Sequence, residues 1–442
     1  MPGPLQARRA REGDGHDVST YDLSQHFPPH TGRIGISLSH RIVFVLAGLA
    51  ISSSLAGQGA IPTTAHAATC ASGDFQCIAG TVPPPPLAPA PPGQQSSSTN
   101  ISSVSLQGLA YYNAAASLKS ALSNASRAQT AAATGVAGSP PPTPVTDSHY
   151  VRLQDGNAYN STIQNWGYNE PNAGNITVLE FGGVCTGSSV YVYGSSCTVD
   201  SSGGIGDCTV AWWAEWWLYG YAINSNHDGK NANAQIAVAL NSSTGESATS
   251  ASAEASDLYS CMVSNTYAYA SQLNQWANQN NVGITFFVSG GDDIETNFSD
   301  PYPVVDSWVS AWDNSAFAYR SSAYMEMYDN GAQYDYCNSS SCWDQPLDHN
   351  WSSHQLWQEQ WGYGSAFSFP EMYRRNWGYY YEDLNKAAAA ANKPTVGYTG
   401  VMWGCGTGGD EPSANQAHVD FSAQTGQSPQ DTTTIHALDQ SC

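Results

Sequence analysis

The sequence predicts an α/β domain, a (β/α)8 barrel of TIM type, and three observations predict it. From about Tyr150 onward, short β-rich runs alternate with amphipathic helical segments, the pattern of strands joined by crossovers rather than of a sandwich. The stretch 150–442 is the size of one such barrel. Several of the β-rich runs also end in a carboxylate, as in "ITFFVSGGDDIET", Ile284 to Thr296.

Two segments precede the barrel. "RIVFVLAGLAISSSLAG" opens with Arg41 and continues as a short apolar core, and Ala65-His66-Ala67 forms a cleavage pattern. Residues 1–67 therefore read as a secretory signal with an extended leading region that holds Arg8, Arg9 and Arg11. Residues 68–149 read as a Pro-rich tether, from "TVPPPPLAPAPPGQQSSSTN" and "AGSPPPTPV". Between these runs, Leu106, Leu109, Leu118 and Leu122 are spaced for one helical stripe, expected to lie on the main domain.

Within 150–442 six strands are expected: 176–181, 235–240, 283–289, 323–328, 355–361 and 395–403. "HYVRLQD" and "SSVYVYG" are candidates for the remaining two, the second also fitting a disulfide-closed hairpin between Cys185 and Cys197. Val305, Trp308, Val309 and Trp312 recur at i, i+3, i+4 and i+7. Tyr380, Leu384, Ala387, Ala388 and Ala391 precede Pro394, so both segments predict helices laid on a sheet.

The charge excludes some functions. A net charge of -22 with only 14 Lys and Arg argues against nucleic acid and anionic membranes as partners. All 10 cysteines follow Ala67, an even number in an exported chain, which predicts disulfides. Cys70 with Cys77 and Cys337 with Cys342 are close enough to pair locally, whereas spacing assigns no partner to the other six. No CxxC pair, HExxH helix, GxSxG elbow or phosphate-binding glycine loop occurs, so no metal and no organic cofactor is expected.

In a chain with 11% charged residues, Asp292, Asp293 and Glu295 stand together at one strand end. Glu180 in "VLEFGG", Glu326 and Asp329 in "MEMYDNG", Glu359 in "WQEQWG" and Glu371 in "SFPEMY" lie at or near others. A parallel barrel opens all its strand ends on one face, where such acids meet. Paired carboxyls are the equipment of glycosidic bond cleavage, one kept protonated and one charged. Gly290 and Gly291 are expected to leave open space beside them.

The Asp-Ile-Glu after small residues resembles the Asp-x-Glu element of chitinase-like and muramidase-like barrel glycosidases. "LWQEQWG" is similar to the late aromatic strand of the muramidase-like barrels, and "FSFPEMY" resembles a Pro-Glu-aliphatic-Tyr element of secreted proteins. The resemblance implies Glu295 as proton donor and Asp293 as its partner. Gly290 and Gly291 stand where the chitinase-type aspartate repeat would continue, and "VLEFG" lacks the early Asp of muramidases.

The expected catalytic set is Glu295, Asp293, Glu180 and Asp329, with Asp292, Glu359, Trp361, Tyr363, Glu371 and Trp403 binding substrate. Each has a plainer use. Acids favour helix N-termini, and Asp329 before Asn330-Gly331 suits a turn. Most aromatics pack cores. The expected protein is a secreted, monomeric glycoside hydrolase acting on an extracellular or cell-wall polysaccharide. A non-catalytic carbohydrate-binding or surface protein on the same frame is the alternative.

Overall fold

The computed structural model describes residues 70, 74–86, 112–122, 145–157, 161–171, 174–185, 189–192, 205–227, 232–241, 247–296, 301–333, 337, 339–346, 351–405 and 410–436. The strands are β1 (Thr146–Tyr150), β2 (Ile176–Cys185), β3 (Ser189–Val192), β4 (Ile205–Gly206), β5 (Ala232–Asn241), β6 (Ile284–Asp293), β7 (Met327–Asp329), β8 (Ala366–Ser368), β9 (Glu371–Met372), β10 (Gly400–Cys405) and β11 (Asp431–His436). The helices are α1 (Phe75–Ala79), α2 (112–122), α3 (Leu153–Asn157), α4 (Thr162–Asn169), α5 (Asp207–Ile223), α6 (Ala248–Met262), α7 (Ala268–Asn280), α8 (Tyr302–Ala318), α9 (Ser353–Trp357), α10 (Gly378–Ala390) and α11 (Ala414–Thr425).

Nine strands follow one another in the order β8-β7-β6-β5-β2-β1-β11-β10-β9, and every pair along this path is parallel. Their apolar runs give the sheet two buried faces, as helical crossovers require. β3 and β4 add an antiparallel hairpin to β2, matching the hairpin reading of "SSVYVYG"; Cys197 lies outside the described residues. The first ladder begins at Thr146, a little before the expected boundary at 150.

Residues paired in a parallel ladder share a face. Tyr150, Glu180, Ala239, Gly291, Tyr328 and Phe367 thus form one row across six strands. The Asn330 amide of the β7 end reaches Glu180 Oε2 on β2 at 3.4 Å, and Gln235 of β5 donates to the Tyr328 hydroxyl at 3.0 Å. Both bonds skip intervening strands, so the sheet is curled and this row lies on its concave face.

The convex face carries the helices. A side chain on Gly290 would stand 2.2 Å from the Trp312 ring of α8, so only glycine lets α8 settle there. Gly291, on the concave side, is closed off by Ala239 and Asn330. The expected open space beside these glycines is therefore filled.

The path's two ends, β8 and β9, are separated in the chain only by Phe369 and Pro370. Phe369 and Glu371 donate to the carbonyls of Asp329 and Gly331 on the β7 side. On the other side the carbonyls of Ser368 and Pro370 accept from Thr399 and Met402.

Segment 355–361, expected as a strand, is helical: α9 continues into a π-helical turn at Gln358–Gly362. Ser352 and Gln355 form a capping box that satisfies the first free N–H groups and starts the helix. β7 covers only the end of the expected 323–328 strand, and β8, β9 and β11 arise where no strand was expected.

α2 is the helix expected between the Pro-rich runs, with Ala115 buried and Leu118 and Leu122 against the core; Leu106 and Leu109 lie outside the described residues. It sits at the entry end of the strands. Lys119 donates to the carbonyls of Ala366 (2.8 Å) and Tyr363 and lies 4.8 Å from the Trp361 ring centroid. Disulfides join Cys70–Cys77, Cys208–Cys261 and Cys337–Cys342, the first and last as the spacing predicts. No helix among the described residues is long and apolar enough to cross a membrane.

Candidate functional site

The exit ends of the strands bring distant acids together. β2 carries Glu180 and then a register shift between Glu180 and Gly183, with Gly182 at φ +99°, a value that favours glycine. The bulge bends β2 beside its carboxylate. β6 ends at Asp293, two residues before Glu295, and Glu371 begins β9 on the concave face, in register with Met402.

One carboxylate oxygen from each of Asp293, Glu295 and Glu371 lies within 4.8 Å of the others. Exposure is 4% for Asp293, 8% for Glu295 and 0% for Glu371 and Glu180. Glu295 is thus the least covered of the group.

Amides and phenols surround these acids. Asn241 donates to Asp293 Oδ2 at 2.7 Å, and Asn330 faces Glu180. The amide oxygens of both asparagines are buried without a hydrogen-bond partner among the described residues. Gly404 makes room for the Tyr373 ring and for Glu371: a Cβ there would meet Tyr373 at 1.9 Å and Glu371 Oε1 at 3.0 Å.

Burial is the main force on the protonation of this cluster. It raises Asp293 to about 7, against the Asn241 hydrogen bond, which favours the charged form. Glu371 is pushed well above the usual carboxylate range by burial and by the charges of Asp293 and Glu295, with the Tyr373 hydroxyl pulling the other way. Carboxyls this close share protons, and their titration belongs to the set.

A second acidic group lies on the convex side. Asp292 and Asp329 pair in register, one residue out of phase with the concave row. Burial raises Asp329 to about 8, and the Gly331 N–H, donating to its Oδ1 at 3.1 Å, shapes the Asp-Asn-Gly turn. Glu359, in the π-helical turn, is raised well above its ordinary range by burial and by Asp306, Asp292 and Asp329.

The expected substrate-binding residues therefore divide. Glu371 joins Asp293 and Glu295, and Glu180 shares their concave face. Asp292 and Glu359 lie behind the sheet with Asp329. Trp361 is buried under Lys119, and the Tyr363 hydroxyl donates to Asp306 at 2.6 Å, ahead of β8. Trp403 donates to the Glu411 carbonyl at 3.1 Å and is in register with Met372, on the convex side. Glu326 precedes β7, at the entry end.

Sequence reasoning missed Asn241, Asn330, Tyr373 and Tyr150. The available signals were Asn241 closing "QIAVALN" and Tyr373 two places after Glu371, hence on the same side of an extended chain.

The three acids together offer a shared proton and a negative charge within a few ångströms, which suits acid–base or nucleophilic catalysis. An all-oxygen set of this kind also suits a hard cation such as Ca²⁺ or Mg²⁺. Comparison with protein-family models, with curated proteins and with solved structures finds no match to this chain.

Proposed function

We propose that this chain is a secreted glycoside hydrolase acting on an extracellular or cell-wall polysaccharide, built on a closed (β/α)8 barrel. The registers support closure. Phe367 connects through six strands to Tyr150, while Glu371 connects the other way, through β10 and β11, to Thr146. The offset is four residues on each of these two strands, eight in all, the stagger of a TIM-type barrel. β8 and β9 then count as one interrupted strand.

The observation that carries the functional reading is the meeting of Asp293, Glu295 and Glu371 within 4.8 Å at the exit ends of the strands. Glu295, least covered and just beyond β6, gives its proton to the leaving oxygen. Glu371, on which burial favours a proton, passes that proton to Asp293 and so becomes the partner carboxylate facing the anomeric carbon. The short separation is nearer the roughly 5–5.5 Å of retaining enzymes than the 6.5–9.5 Å of inverting ones. Retention of anomeric configuration is the expected outcome.

The test is product release by the purified protein across a glycan panel, beside Glu295→Gln. The expected loss is about a hundredfold or more in the variant. A parent without product on any glycan, or a variant as active as the parent, overturns the assignment. The depth at which Glu180 and Glu371 are buried favours a second reading, a carbohydrate-binding protein without turnover. It predicts glycan retention on an affinity gel with no product formed.

A further inference from the structure

We propose that the groove lined by Trp212, Tyr269 and Trp276 is a polyproline-II binding site, filled in cis by residues 81–86 and able to take the same segment in trans. The segment reads Thr81-Val82-Pro83-Pro84-Pro85-Pro86. Four successive prolines fix φ near −65° and remove every N–H, so the segment forms no ladder or helix of its own and its carbonyls accept only from water or from side chains laid against it.

The groove supplies those donors. Trp276 Nε1 donates to Thr81 Oγ1 at 3.0 Å, the Tyr269 hydroxyl to the Pro83 carbonyl at 2.7 Å, and Trp212 Nε1 to the Pro86 carbonyl at 2.9 Å. The two carbonyls are three residues apart, one turn of a polyproline-II helix. Burial has the same period: Val82 and Pro85 are buried, Pro84 and Pro86 exposed. Aromatic walls whose N–H and O–H groups read the carbonyls of a preformed extended helix are how proline-rich ligands are recognised generally.

Trp212 stands on α5, and Tyr269 and Trp276 lie two turns apart on one face of α7, among the outer helices rather than at the carboxylate mouth. The site is thus independent of the proposed hydrolase chemistry. Its ligand chemistry is on view in the seated segment, and a second copy of the chain carries the same segment.

The experiment empties the groove in the full-length chain with Val82→Asp and Pro85→Asp, then titrates a synthetic TVPPPPLAPA peptide while following tryptophan emission. Saturable binding by the variant is expected, at least tenfold weaker for a peptide with Pro83 and Pro85 replaced by alanine. No binding, or equal binding of both peptides, overturns the proposal. A second measurement covers a variant that fails to fold. In Tyr269→Phe with Trp212→Phe, near-UV dichroism being that of the parent, amide exchange over 74–82 is expected to accelerate at least tenfold; unchanged exchange overturns it equally.

Discussion

The entry and exit ends of the curled sheet both bury acids, but in different company. At the entry end, the Tyr328 hydroxyl donates to Glu326 Oε2 at 2.5 Å, Gln235 donates to Tyr328, and the charge of Lys119 acts on Glu326. At the exit end, Asp293 and Glu371 feel other carboxylates, an amide and a phenol, and no Lys or Arg is among the groups that shift them. A cluster that holds a lysine, itself lowered by burial to about 7, can settle its charge internally. A cluster without one keeps protons and negative charge available, at a cost in stability that structure alone does not call for.

If this contrast is sound, changes at the exit end should strike activity and changes at the entry end should strike stability. The largest effect is expected for Glu371→Gln, a hundredfold or greater fall in kcat on the glycan that the panel identifies, with Tm unchanged or raised. A Glu371→Gln protein that unfolds, or that turns over normally, breaks the comparison from the exit side.

Next in size is Lys119→Ala. Removing Lys119 leaves the half-buried Glu326 without its amine and strips cover from Trp361 and Phe367. The expected cost is about 2–3 kcal/mol, read as a fall in Tm of about 3–5 °C for a domain of this size. Activity measured well below that temperature should hold.

A pH series reads both ends together, with Asp293 and Asp329 at strand exits and Asp431 at the entry of β11. Asp293, Asp329 and Asp431 bind protons more tightly folded than unfolded, at about 7, about 8 and about 7, chiefly because burial penalises the charged form. Their stabilising contribution is therefore complete below the unfolded pKa, near 4, and is lost as pH rises through 7 to 8. Thermal melts should show Tm falling from about pH 5 to about pH 8, and Asp293→Asn with Asp329→Asn should flatten that slope. The smallest effect is expected for Asn241→Leu, which removes the bond favouring charged Asp293 and so raises its pKa. The limb of the kcat/KM profile governed by Asp293 should move to higher pH by less than a unit.

Legibility in the sequence followed physical type. The runs at 176–181, 235–240 and 283–289 are β-branched, apolar and doubly buried, and they became β2, β5 and β6. Segment 355–361 is rich in aromatics, but Trp357 and Trp361 stand four residues apart as a helix spaces them, and the Ser352–Gln355 capping box decided for helix. β11 is largely threonine and β9 only two residues long, so neither has an apolar signal to read. Asp293 and Glu295 stood out because the chain is poor in charge. Asn241, Asn330 and Tyr373 did not, because asparagine and tyrosine are common throughout.

Pro370 leaves a seam. The segment carrying Phe369 and Glu371 offers amides to β7, but Pro370 has none to give the strand at its other side, where it only accepts from Met402. Heat or denaturant should loosen the strands along that line early, and Glu371 is its immediate neighbour. The residue on which turnover is proposed to depend therefore sits beside a strand pair that is one amide short, and damage there would silence the molecule ahead of global unfolding.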